Sequence, residues 1–122
     1  MNYRFYYPEW NNRKEVCKDY PQIKEITREP TSFWYGVGPK RTIRKTKKSI
    51  QRLLKRADPY LPVLVVYSIP YRDLGHHSKG GTGSDKEYLE FIREFCDALG
   101  DRSPIVIYEP DCIPHMEEMG VV

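Results

Sequence analysis

Cysteine is scarce in this 122-residue chain. The three present, Cys17, Cys96 and Cys112, form no C-x-x-C pair and no disulfide framework. A zinc site is therefore not expected. Cys96 falls near the apolar side of an amphipathic segment and reads as a core thiol. Long apolar runs are also missing, and nothing approaches the roughly 20 residues of a membrane span. The opening Met1-Asn2-Tyr3-Arg4-Phe5-Tyr6-Tyr7 lacks the extended apolar region of a secretory signal. Charge of one sign is not in large excess. A net +3 from 20 basic and 17 acidic residues is too small to argue for nucleic acid by itself. Internal repeats and low-complexity linkers are absent.

Aromatic residues, by contrast, are plentiful: ten Tyr, four Phe and two Trp. They suit a packed core or a sugar-binding face and exclude a disordered chain. The length allows one domain at most. From the start, residues 3–7 read as a strand, and residues 13–18 and 21–28 as helical pieces with Val16, Ile23 and Ile26 inward. Residues 32–35 form a short second strand. A long helix follows over about residues 40–57, with Ile43, Ile50, Leu53, Leu54 and Ala57 on one face.

The stretch from Pro62 to Asp111 carries the strongest pattern. Pro62-Val63-Leu64-Val65-Val66-Tyr67-Ser68-Ile69 is short, apolar and β-branched, as a strand buried on both faces requires. Ser84-Asp85-Lys86-Glu87 has the spacing of a capping box. Tyr88, Ile92, Phe95 and Leu99 then recur at helical spacing, and Gly100 supplies a stop. Pro104-Ile105-Val106-Ile107-Tyr108 is a further strand. Strand and helix alternate throughout, which makes the fold α/β with a parallel sheet. Ligands of such sheets bind beyond the carboxyl ends of the strands. Asp73 and Asp111 follow two of those ends. A pair of carboxylates there suits acid-assisted glycoside hydrolysis. On the residues alone, the favoured reading is that each caps a strand-to-helix turn.

Two further segments have two readings each. The helix at 40–57 holds Lys40, Arg41, Arg44, Lys45, Lys47, Lys48, Arg52, Lys55 and Arg56 with no acid between. It is either a patch for an anionic partner or a solvated outer face, and the lack of interleaved aromatics favours the latter. Gly80-Gly81-Thr82-Gly83 before the third helix could cradle a phosphate, but the order of Lys and Ser is not that of a P-loop. A mobile covering loop is the expected role. His76 and His77 are adjacent on that loop and read as solvent-facing rather than as metal ligands.

Val65-Val66-Tyr67-Ser68-Ile69-Pro70-Tyr71-Arg72-Asp73 resembles the V-Y-x-[IL]-P-x-R-D signature of glycoside hydrolase family 6, which contains cellulases. Val106-Ile107-Tyr108-Glu109-Pro110-Asp111 resembles its second signature, a strand ending in E-P-D. Ser78-Lys79-Gly80-Gly81 matches its S-x-G-G loop, and residues 29–36 resemble its segment with a sugar-stacking Trp. The resemblance implies a distorted TIM-like (β/α) barrel, here partial, and hydrolysis of β-1,4-glucan by inversion without metal or cofactor. It implies Asp111 as general acid. Asp73 would be the second aspartate, which keeps the acid protonated and helps order water. Tyr67 would lie beneath the reactive sugar, Arg72 would hold the carboxylates, Ser78 would position water and Trp34 would stack on glucose. Glu109 has a structural role in this reading.

The resemblance covers roughly residues 3–116 but only the N-terminal half of the family's domain, since a full barrel needs about 250 residues. The family's proposed base has no counterpart here. Leu74 stands where the family places a cysteine, so its disulfide is not expected. Family members are usually secreted, whereas this chain offers neither signal nor disulfide framework. The expected partner is a β-1,4-glucan, with no membrane and no nucleic acid. Self-association through the open edge of the last strand is also expected. The alternatives are a non-catalytic carbohydrate-binding remnant and a small α/β phosphate- or nucleic-acid-binding protein.

Overall fold

A computed structural model of the chain describes residues 4–7, 17–26, 29–38, 40–72 and 80–120. Its centre is a three-stranded parallel sheet in the order β1 (Ser32–Tyr35), β2 (Val63–Val66), β3 (Ile105–Tyr108). Ser32 pairs with Val63 and Tyr35 with Val66. On the other side Val63 pairs with Ile105 and Val66 with Tyr108. Two helices cross over between the strands, α1 (Ile43–Ala57) and α2 (Asp85–Leu99), and α3 (Cys112–Glu118) follows β3.

The central strand is buried on both faces, with Leu64, Val65 and Val66 each at most 2% exposed. Alternation sends Leu64 and Val66 one way and Val65 the other. Leu64 and Val66 join Ile50, Leu53 and Leu54 of α1 and Phe91, Phe95 and Ala98 of α2 in one apolar core. Both crossover helices therefore cover the same face of the sheet, as in a barrel with its helices outside. Trp34 and Ile107, in register with Val65, belong to the opposite face. β3 is one of the two edge strands among the described residues, and Ile105 and Ile107 are 42% and 43% exposed.

Several sequence expectations need correction. Residues 4–7 form no named strand. Phe5 makes a single parallel bridge to Leu61, and Tyr6 stacks on Phe33 at 5.8 Å. The sheet thus has three strands among the described residues rather than four. Residues 17–19 are helical, but residues 21–23 form only a 3-10 turn, and Ile26 is 72% exposed rather than inward. Val16 lies outside the described residues.

The long helix begins at Ile43, not Lys40, because Thr42 caps it and accepts the Lys45 N–H at 3.3 Å. On α2 the buried residues are Phe91, Phe95 and Ala98, while Tyr88, Ile92 and Leu99 are half-buried. The apolar stripe is rotated by one position, and Cys96 is exposed rather than in the core. The closing segment is helical from Cys112 to Glu118.

The capping box holds, with a shift. Ser84 Oγ accepts the Glu87 N–H at 3.2 Å, and Glu87 reaches back to the Gly83 N–H at 2.6 Å, one residue before the cap. Ser84→Ala is expected to lower stability by about 1 kcal/mol. The check is a lower urea midpoint at unchanged slope.

Candidate functional site

The carboxyl ends of the three strands converge on one residue, Ser68. It is fully buried just past β2, and each of its polar groups is used. Its Oγ accepts the Val37 N–H beyond β1 at 3.1 Å. Its carbonyl accepts the Thr82 N–H at 3.1 Å and the Thr82 hydroxyl at 3.2 Å. Its N–H donates to the Glu109 carboxylate beyond β3, at 2.9 Å from both oxygens.

Glu109 is 2% exposed and also accepts the Ile69 N–H at 3.2 Å. Burial pushes its carboxyl above the ordinary glutamate value, against the opposing pull of these backbone donors, of Tyr88 and of the Arg72 charge. Tyr88 of α2 donates its hydroxyl to Glu109 at 3.2 Å and meets the Tyr108 hydroxyl in turn. Burial, then the Tyr108 contact and the Glu109 charge, push the Tyr88 phenol up. A Tyr108–Tyr88–Glu109 relay thus ties the end of β3 to the peptides at the end of β2.

Tyr67, 8% exposed, carries the second cluster. Arg72 donates to its carbonyl at 2.5 Å, and the guanidinium lies over its ring at 4.9 Å. The guanidinium passes close to Gly36, where an added Cβ would meet the Tyr67 carbonyl at 2.5 Å and Arg72 Nη1 at 3.0 Å. No larger residue fits that slot. Arg72 also pairs with Gly80 as an antiparallel bridge. Gly81, at φ +80°, would place a Cβ 2.0 Å from the Ile69 carbonyl. The Gly-rich segment is therefore docked on the strand end at 80–82, where a mobile cover was expected. Tyr71 (φ 56°) and Glu109 (φ 42°) are both held in the left-handed region, one beyond each of the neighbouring strands β2 and β3.

Trp34 is 56% exposed and sets its ring edge-on to Tyr67 at 6.2 Å. Trp34 offers an open aromatic surface beside Tyr67. Asp111 is exposed in the turn that links β3 to α3. The structure thus gathers Trp34, Tyr67 and Arg72 into one cluster and puts Asp111 two residues beyond the braced Glu109. Asp73, Ser78, His76 and His77 lie outside the described residues. Among the described residues no group of three or more His, Cys, Asp or Glu could hold a metal ion, and no helix is long and apolar enough to cross a membrane.

Sequence reasoning missed Ser68, Thr82 and the polar role of Tyr88. A serine inside an otherwise apolar run was the available signal for the first. Tyr88 was legible only as a stripe residue, because its hydroxyl partner is far along the chain.

Three comparisons bear on this edge. The chain is 38% identical over 96 residues to endoglucanase 1 of Streptomyces sp. (strain KSM-9) and 32% identical over 97 residues to endoglucanase A of Thermobispora bispora. Those matches cover 77% and 79% of this chain but 26% and 21% of the relatives, so the chain spans about a quarter of their length or less. The fold is shared, with a TM-score of 0.79 and 21% identity, with the endoglucanase Cel6 from Mycobacterium tuberculosis, solved with methyl-cellobiosyl-4-deoxy-4-thio-β-D-cellobioside. That match covers 96% of this chain and 41% of the other. The family model described as glycosyl hydrolases family 6 matches residues 8–121, all but the first seven and the last, and the chain belongs to that family.

Proposed function

We propose that this chain carries the acid side of a site that hydrolyses β-1,4-glucan with inversion, with Asp111 as general acid. The observation that supports the reading is the bracing of β3 to β2 by Glu109, which accepts the Ser68 N–H one residue past Tyr67 and lies two residues before Asp111. The endoglucanase relatives and the cellobioside bound to the Cel6 neighbour support a glucan as the ligand.

In this reading a glucose ring stacks on Trp34, and the next ring sits over Tyr67. Asp111 gives its proton to the glycosidic oxygen as the bond to the anomeric carbon breaks. Water attacks that carbon from the opposite face and releases its proton to the surrounding solvent, and a single displacement inverts the carbon. Asp73 orders the water and disfavours a second negative charge nearby, and Ser78 positions the same water. Arg72 shapes the floor by fixing the Tyr67 carbonyl and ring. The non-catalytic alternative uses the same Trp34–Tyr67 surface for binding alone.

The test is proton NMR of cellohexaose incubated with the chain. The α-anomer of the new reducing end should appear first and then mutarotate. A β-anomer appearing first overturns inversion. Quenching of Trp fluorescence by cellohexaose without any bond cleavage establishes the binding remnant instead.

A further inference from the structure

The outer face of α1 is a second feature of the molecule, and it lies apart from the glucan site. Residues 40–57 carry nine Lys or Arg and no acid, so with a net +3 overall the rest of the chain holds six more acids than bases. Charge is segregated rather than mixed. At about 100° per residue, Arg44, Lys45, Lys48, Arg52, Lys55 and Arg56 fall within an arc of about 120°. That arc is centred opposite the buried Thr46, Ile50, Leu53, Leu54 and Ala57. All six are exposed, as is Arg41 just before the cap.

Lys47 lies at the margin of the buried side and reaches Glu94 of α2 at 2.7 Å, with Asp97 as a second partner. It is the only α1 cation in an ion pair among the described residues. The arc therefore keeps its charge for solvent. It also costs the helix something. Arg44, Lys48, Arg52 and Arg56 are successive i,i+4 neighbours of like charge, which is destabilising. The first turn has no acid to match the helix dipole.

We propose that this face docks an acidic glycan, a polymer of carboxylate-bearing sugars. A line of cations about 18 Å long suits a linear polyanion. A membrane is a poorer fit, because the apolar side of α1 is committed to the core and cannot insert. Nucleic acid is a poorer fit, because the arc has no aromatic for base stacking. A glycan is the polymer class of the family, and the arc begins at the sheet's carboxyl edge, where Arg41 lies over the Tyr35 ring at 5.3 Å. The inference does not depend on catalysis by Asp111.

The test is binding of the whole chain to immobilised sodium polygalacturonate, with hydroxyethylcellulose as the neutral control. Polygalacturonate should bind more tightly, and its affinity should fall at least about tenfold between low and moderate salt. The Lys48→Gln/Arg52→Gln variant should lose about tenfold at low salt with helix content kept by circular dichroism. Lys47→Gln, which faces α2, should bind as the parent does. Equal binding to both polymers, no loss in the double variant, or tighter binding to single-stranded DNA at the same salt each overturns the proposal.

Discussion

Asp111→Asn is expected to lower the release of reducing ends from cello-oligosaccharides by about 10²–10⁴-fold, the range for removing a positioned general acid. Asn has the same shape and cannot donate a proton to the leaving oxygen. Asp111 is exposed, and surface substitutions usually stay within about 0.5 kcal/mol. The variant should therefore melt with the parent and still quench Trp34 fluorescence with cellohexaose. The diagnostic readout is the leaving group. A substrate with an acidic leaving group, such as a dinitrophenyl cellobioside, needs little protonation and should recover most of the lost rate. A loss of the same size on both substrates would sink the assignment of Asp111 as acid. So would an unchanged rate on cello-oligosaccharides.

Much of this edge was legible because its elements announce themselves locally. The β2 run is apolar and β-branched, and it is buried as such a run must be. Ser84 starts α2 at the position its hydroxyl dictates. The signatures around Tyr67 and Asp111 placed the two strand ends in the family before any geometry was known. What the sequence concealed is the set of long-range partners. Tyr88 has helical spacing and reads as apolar, but its hydroxyl meets Glu109, 21 residues on. The cores of α1 and α2 press on each other, so the tightest site on α2 goes to Phe91, 1% exposed, rather than to Tyr88. Cys96 lies beside the stripe by periodicity, yet a small rotation puts it in solvent. Residues 4–7 have strand-like composition but contribute one bridge, because strand pairing is decided by neighbours and not by propensity.

Glu109→Leu is expected to destabilise the chain by about 3 kcal/mol, a fall in Tm of about 10 °C. The leucine fills much of the space but leaves the buried Ser68 N–H and the Ile69 N–H without their acceptor. Each such donor costs about 1–3 kcal/mol, offset in part because a desolvated carboxylate is removed as well. Glu109→Gln keeps one acceptor oxygen and should cost less than half as much. It also supplies a pH signature. Burial raises the Glu109 carboxyl above its ordinary value. Between that ordinary value and the raised one, the folded chain binds more protons than the unfolded chain. The carboxyl's contribution is thus complete below the ordinary value and is lost as pH rises through the folded one. The parent's stability relative to Glu109→Gln should therefore fall with rising pH across that window and be flat above it. Urea unfolding at a series of pH values measures both. A difference that instead grows with pH would mean that the backbone donors outweigh burial, and that Glu109 braces the strand ends as a fully ionised carboxylate.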